Sequence, residues 1–194
     1  MTRLGWALLL IFAALLGGFV LLLLRGGEID DEVVAPRPVE RTDAGGGDPL
    51  VIPVAGIRRE QLTDSWGDSR GDGSRRHNAI DIMAPRGTPV VAAAPGTVEK
   101  LFDSRNGGLT VYVRTQDGRT VHYYAHLDAY RAGLAEGQRV RTGDVLGTVG
   151  STGSASAEAP HLHFEVKRMA AGERWHQGQE VNPYPLLAGN AASR

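Results

Sequence analysis

The six histidines of this 194-residue chain, at positions 77, 122, 126, 161, 163 and 176, are the side chains with the most chemistry to offer. There is no cysteine, which excludes a thiolate metal site, a cysteine nucleophile, a lipidated N-terminal cysteine and a disulfide framework. Any catalytic metal must therefore be held by imidazole and carboxylate. In His161-Leu-His163 a strand puts both imidazoles on one face, Cα atoms about 6.5–7 Å apart at a rise of roughly 3.3 Å per residue, with Leu162 and Phe164 on the other. Two rings so placed can converge on one small ion. His77 and Asp81 stand four apart in His-Asn-Ala-Ile-Asp; in an unbroken strand that means about 13 Å, too far for bonds near 2 Å to one ion. A helix would close the gap, but Ile80, Ile82 and Pro85 argue against one, so His77 is expected on a loop folding back over the strand that carries Asp81.

Two histidines and one carboxylate leave the fourth position of a tetrahedral zinc to water, whose pKa drops to about 7 there, a composition suited to hydrolysis. A His-Glu-x-x-His pair is absent, and with it the glutamate base of the helical zinc peptidases. Proton transfer then falls to histidine. His122, Tyr124 and His126 alternate along one expected strand and by parity share a face, so either histidine can point into the site.

The elements that must position these residues are strands. The 26 glycines and 10 prolines exceed what a helical bundle tolerates, since glycine inside a helix costs roughly 1 kcal/mol relative to alanine and proline about 3. Short β-branched runs broken by glycine occupy 88–92, 97–101, 109–115, 120–126, 145–149 and 161–167, the pattern of an all-β domain. Gly87-Thr-Pro-Val with Gly96-Thr-Val, and Gly137-Gln-Arg-Val with Gly147-Thr-Val, form a repeated strand-turn-strand unit that two packed half-barrels would explain. The expected fold is thus all-β, a compact two-sheet sandwich or barrel-sandwich hybrid of short antiparallel strands, preceded by one N-terminal transmembrane helix. Within it, Glu165 shares the face of His161 and His163 and either orients a ring or is solvated at an edge, while His122 and His176 read as packing residues. Tyr124 is open to substrate contact or core packing. Arg75 and Arg76 read as a solvated basic loop, with carboxylates of a ligand as the alternative partner. Asp64, Asp68 and Asp72 recur every four residues but lack the glycine and glutamate pattern of a calcium loop.

From Leu4 to Leu24 no residue is charged, a run long enough to cross a hydrocarbon core of roughly 30 Å as a helix. A cleaved signal is the rival, but Arg25-Gly-Gly-Glu-Ile-Asp-Asp-Glu offers no small-x-small site. Charge placement favours a cytoplasmic N-terminus. Residues 25–49 mix glycine, proline and charge without apolar periodicity and read as a flexible linker. The domain expectation is then an anchor over 1–24, a linker over 25–49, one folded domain over 50–187 and a frayed tail over 188–194. With 21 Lys+Arg against 22 Asp+Glu, no electrostatic pull toward nucleic acid is expected.

Taken in order, His77-x-x-x-Asp81, Ala84-Pro-Arg-Gly-Thr-Pro-Val, Tyr124-Ala-His-Leu127, Gly150-Ser-Thr-Gly, Pro160-His-Leu-His-Phe-Glu165 and Val181-Asn-Pro resemble the lysostaphin-type, or LytM-like, M23 metallopeptidases. The resemblance spans about Leu62 to Pro185, with Ala79 where many members have glycine and Ser154 where asparagine is common. It implies zinc (Zn2+) ligands His77, Asp81 and His163, and His126 and His161 as unliganded catalytic histidines, one acting as general base and the other on the oxyanion. It also implies an endopeptidase acting on peptidoglycan stem-peptide cross-links or glycine-rich peptides. With the anchor, this places the chain as a single-pass protein of a bacterial inner membrane, its catalytic domain in the periplasm or extracytoplasmic space. Two alternatives differ in class. One is a non-catalytic LytM-like activator of cell-wall amidases, to which retention of all five residues is opposed. The other is a biotinyl or lipoyl carrier domain, which Lys100 and Lys167 fit poorly because neither lies in a tight hairpin.

Overall fold

The computed structural model describes residues 50–70 and 73–189. The chain divides into two units, Met1–Gly45 and Gly46–Arg194. The transmembrane helix expected over 1–24, the linker expected over 25–49 and residues 190–194 of the expected tail lie outside the described residues. Among the described residues no helix is long and apolar enough to cross a membrane.

After a 3-10 turn at Arg59–Gln61 the strands run β1 (Ser69–Arg70), β2 (Arg75–Arg76), β3 (Ile80–Met83), β4 (Pro89–Val91), β5 (Gly96–Ser104), β6 (Gly108–Thr115) and β7 (Thr120–Tyr130). They continue with β8 (Arg139–Val140), β9 (Val145–Val149), β10 (His161–Arg168) and β11 (Gln179–Val181), and the short helix Tyr184–Ala188 closes the domain. The β-rich, antiparallel expectation holds. The pairing differs from two separate sheets: strands β1 and β2 form a hairpin, and the rest join one branched nine-stranded sheet in the order β11-β10-β7-β6-β5-β8, with β3 on β10, β9 on β7 and β4 on β9. Branching follows from the 11-residue length of β7, whose first part pairs with β6 and β10 and whose last part pairs with β9.

Alternation along the strands builds one main core. Leu162 and Phe164 on β10, Ile80 and Ile82 on β3, and Val111 and Val113 on β6 point into it with Tyr124, Leu127 and Leu146. Each such side chain contributes about 1.5–3 kcal/mol by leaving water. The repeat also acquires a structural meaning, because its two copies pair with each other: Val90 faces Gly147 across β4 and β9, and Gly96 faces Val140 across β5 and β8.

The shared-face expectation for His122, Tyr124 and His126 fails, and β7 shows why. Leu109 pairs with Leu127 but Val111 pairs with Tyr124, so two steps on β6 oppose three on β7. That extra residue is a bulge, and it resets the alternation. His126 adopts φ 61°, the one positive φ outside glycine among the described residues. His122 and Tyr124 turn to the core, with ring centroids 5.8 and 5.3 Å from Phe164, whereas His126 turns away toward His161 and His163.

His122 is buried and its Nδ1 has no hydrogen-bond partner among the described residues. Burial pushes its pKa down from 6.5 to about 4. An unfolded chain would take up that proton near the ordinary value, so the stability tied to His122 is full above about pH 6.5 and is lost as pH falls toward 4, by about 3 kcal/mol. His122→Asn should therefore lose less stability than the parent protein between pH 7 and pH 4.5. Urea unfolding at the two pH values measures this, and equal losses in the two proteins would show that His122 is not the group responsible.

Candidate metal and catalytic site

Strand register assembles the centre. His163 on β10 stands opposite Asp81 on β3, and on its other side opposite Ala125 on β7, next to the bulge that carries His126. Directly opposed residues of an antiparallel pair have Cβ atoms about 4.5–5.5 Å apart, within reach of an imidazole and a carboxylate. His77 lies between β2 and β3 on a loop that returns over Asp81, as its spacing predicts. His77 Nε2 lies 3.1 Å from Asp81 Oδ1 and 3.1 Å from His163 Nδ1, and His163 Nδ1 lies 3.2 Å from Asp81 Oδ1. Tetrahedral zinc with bonds of about 2.0–2.1 Å separates its ligand atoms by roughly 3.3 Å, so this triangle fits a single ion. The three residues form a cluster able to hold a metal ion.

Hydrogen bonds on the far side of each ring decide which nitrogen faces inward. His77 donates Nδ1–H to the Ser65 carbonyl at 2.9 Å, His126 donates Nδ1–H to the Thr152 carbonyl at 2.8 Å, and His161 donates Nδ1–H to the Ala159 carbonyl at 2.8 Å. His163 is reversed: its Nε2–H is donated to Glu165 Oε1 at 3.0 Å, leaving Nδ1 toward the centre. Arg70 Nη2 also lies 2.9 Å from His77 Nδ1. A guanidinium has no lone pair and a carbonyl has no proton, so the ring serves one of them. The Ser65 bond is the one that turns Nε2 toward Asp81 and His163.

Burial by itself would raise the Asp81 pKa and lower that of His163, but the pair overcomes it. Hydrogen bonds from His163 and His77 hold the Asp81 carboxyl far below the usual range, and bonds to Asp81 and Glu165 push His163 up to about 8. An ion held by the three would take the place of the proton that His163 shares with Asp81. His126 moves the other way, down to about 4, through burial and the charges of His163 and His161. Its ring centroid lies 5.0 Å from His161 and 5.6 Å from His163.

All five residues singled out from the sequence thus meet in one place. Several that matter to them went unassigned. The Ser65 hydroxyl accepts the Asp81 backbone N–H at 3.0 Å while its carbonyl holds His77. In Gly150-Ser-Thr-Gly, a Cβ on Gly150 would lie 2.4 Å from Asp128 N and one on Gly153 2.3 Å from Asn106 O, so both must be glycine for Thr152 to reach His126. Glu165 proves to orient a ring. The Tyr124 hydroxyl is taken in the core by the Ala93 N–H at 2.9 Å, and exposed His176 stacks edge-on to Trp175. Arg75 and Arg76 lie exposed on β2. Asp64 caps a turn by accepting the Trp66 N–H.

Residues 75–183, more than half of the chain, match Peptidase family M23. A Bacillus subtilis relative named L-Ala–D-Glu endopeptidase is 38% identical over 129 residues, covering 63% of this chain and 38% of its own. The DD-carboxypeptidase/endopeptidase Mpg of Neisseria meningitidis is 39% identical over 130 residues, covering 66% of this chain and 25% of its own. The catalytic domain of the antimicrobial peptidase lysostaphin from Staphylococcus simulans is structurally similar, with a TM-score of 0.54 and 29% identity over 65% of this chain and 90% of that one. The chain therefore spans well under half the length of these two curated relatives.

Glu165 offers a check on the ring-orienting network. Glu165→Gln keeps an acceptor near His163 Nε2 but removes the charge, and partners of metal-ligating histidines typically change affinity by about 10–100-fold. We expect zinc affinity to weaken by about tenfold, read by competition with a chromophoric chelator. Unchanged affinity would mean that the His163–Glu165 contact is idle.

Proposed function

The chain belongs to peptidase family M23, and from that premise we propose that it is a zinc-dependent endopeptidase hydrolysing the peptide cross-links of peptidoglycan. His77, Asp81 and His163 would hold the ion, and His126 and His161 would serve the reacting groups. One observation carries the reading: Asp81 Oδ1 and four imidazoles, each oriented by a hydrogen bond on its far side, gather at one small site. The activities named for the relatives supply the substrate class.

Zinc held there would act as a Lewis acid on the scissile carbonyl and lower the pKa of a water. The other tasks fall to the chain. Burial keeps His126 neutral, so at neutral pH its Nε2 is free to accept a proton from the attacking water. His161 stands beside it with Nε2 3.7 Å from Asp81 Oδ1. Of the two rings, whichever carries a proton on Nε2 can donate to the developing oxyanion, and the proton gained by its neighbour can pass to the leaving amine. Each contribution is typically worth about two to four orders of magnitude in rate. The Ser65, Thr152 and Ala159 carbonyls hold the rings in place during these transfers, so little reorganisation is needed. A chain that only activated amidases would have no use for this set in register.

We further propose that residues 1–24 anchor the protein once in a bacterial inner membrane, that 25–49 is a tether, and that the domain works in the periplasm or extracytoplasmic space. The uncharged run from Leu4 to Leu24 supports this.

Two neighbours on β10 separate holding the metal from acting on substrate. His161→Ala should keep zinc affinity nearly intact while hydrolysis of purified peptidoglycan falls by about two orders of magnitude or more, and His126→Ala should behave likewise. His163→Ala and Asp81→Ala should lose metal and activity together. Equal zinc loss in the His161 and His163 variants, or full hydrolysis by all four, would sink the assignment, and absence of hydrolysis by the parent protein would sink the enzyme reading.

For the anchor, a truncation beginning near Leu50 should be soluble and active. Native protein recovered with a new N-terminus near residue 25 would instead establish a cleaved signal.

A further inference from the structure

The two oxygens of Asp81 face different partners. Oδ1 is the atom 3.1 Å from His77 Nε2 and 3.2 Å from His163 Nδ1, at the centre of the cluster. Oδ2 pairs with the guanidinium of Arg70 on β1. Arg70 arrives there through the β1–β2 hairpin, where it stands opposite Arg75. It is also tied to the ligand loop, since the backbone of the same hairpin region bonds His77: the His77 N–H donates to the Asp68 carbonyl at 2.9 Å, and Gly67 N–H donates to the His77 carbonyl at 2.7 Å. The chain segment that fixes His77 therefore also delivers a cation to the outer oxygen of Asp81.

We propose that Arg70 is a positioning residue that reserves Asp81 Oδ2 and so makes the carboxylate a one-oxygen ligand. The inference rests on the reading that His77, Asp81 and His163 hold an ion. An unrestrained carboxylate next to a dication can offer both oxygens, because they are equivalent in charge and close together. Zinc ligation by two oxygens and two nitrogens, together with the water that hydrolysis requires, would raise the coordination number to five. A guanidinium always carries its charge and donates in a fixed plane, so it can hold Oδ2 in every protonation state of the neighbouring histidines. Lysine in its place keeps a cation and a donor but not the planar fork.

Charge alone would give Arg70 the opposite effect. A cation beside the site repels a dication, so metal affinity measures the difference between two opposed contributions. The number of protein atoms bound to the ion is not subject to that cancellation. It is the quantity to measure.

The experiment uses the full-length chain loaded with cobalt(II) in place of zinc, because the visible bands of four-coordinate cobalt are intense and weaken as coordination number rises. The parent protein should show the intense bands. Arg70→Ala should bind cobalt with bands weakened several-fold as Oδ2 joins the ion, and Arg70→Met, which keeps the aliphatic stem, should do the same if the alanine variant fails to fold. Arg70→Lys should recover most of the intensity. A role confined to bracing the hairpin would lower the unfolding temperature without changing the bands, and that result in cobalt-loaded Arg70→Ala or Arg70→Met overturns the proposal. Failure of the parent protein to take up cobalt would instead overturn the metal-site reading on which it stands.

Discussion

The site depends on one cross-strand pair. His163 and Asp81 face each other between β10 and β3, and that register brings an imidazole and a carboxylate into contact from residues 82 apart in sequence. A slip of one residue would turn His161 and His163 into the core and Leu162 and Phe164 out. The apolar face of β10 therefore protects the polar one. Leu162 and Phe164 are fully buried, and removing the Phe164 ring would cost about 3–5 kcal/mol. Packing of the core and alignment of the ligands are the same constraint seen from opposite faces of a strand.

Around that pair, loops contribute the His77 ring and a set of carbonyls. Ser65, Thr152 and Ala159 each accept an imidazole proton, which fixes the tautomer and the ring direction together. Ala159 sits in a turn closed by its N–H bond to the Ser156 carbonyl at 3.2 Å, and Thr152 is pinned by its own hydroxyl, which accepts the Leu109 N–H and donates to the Leu127 carbonyl. Much of the organisation of the centre thus lies in backbone geometry, with the glycines of Gly150-Ser-Thr-Gly permitting the close approach.

This division explains what could be read in advance. The main strands, the loop position of His77 and the common face of His161 and His163 all follow from side-chain type and period. The convergence of both rings on one ion does not hold, since the ion-sized cluster takes His163 and leaves His161 beside it. The family resemblance added the pairing of His77, Asp81 and His163. The bulge in β7 was not legible: nothing in Val-His-Tyr-Tyr-Ala-His-Leu marks an extra residue, and strict alternation put His122 with His126. The carbonyls were not legible either, since every residue has one and only the fold decides which is used. Arg70 was missed for a related reason. Its partner is 11 residues away across a hairpin of two-residue strands, too short to carry a period.

The balance of charge at the centre points to a cation as its organising element. Asp81 and Glu165 both contact His163, and together they push its pKa above neutrality despite burial, so the ring supplies positive charge that its surroundings demand. Lys167, itself nearly buried, lies 3.3 Å from Glu165 and answers part of that demand, as Arg70 does for Asp81. Leaving a buried carboxylate without a partner is costly, so these cations are required wherever the carboxylates are retained. Two carboxylates and their outer cations thus frame an inner position where positive charge is favoured. His126 is under the opposite pressure: it lies at the edge of this frame, crowded by two other rings and driven neutral. One small cluster in this way keeps one histidine ready to share a proton or yield it to a metal, and another ready to accept one.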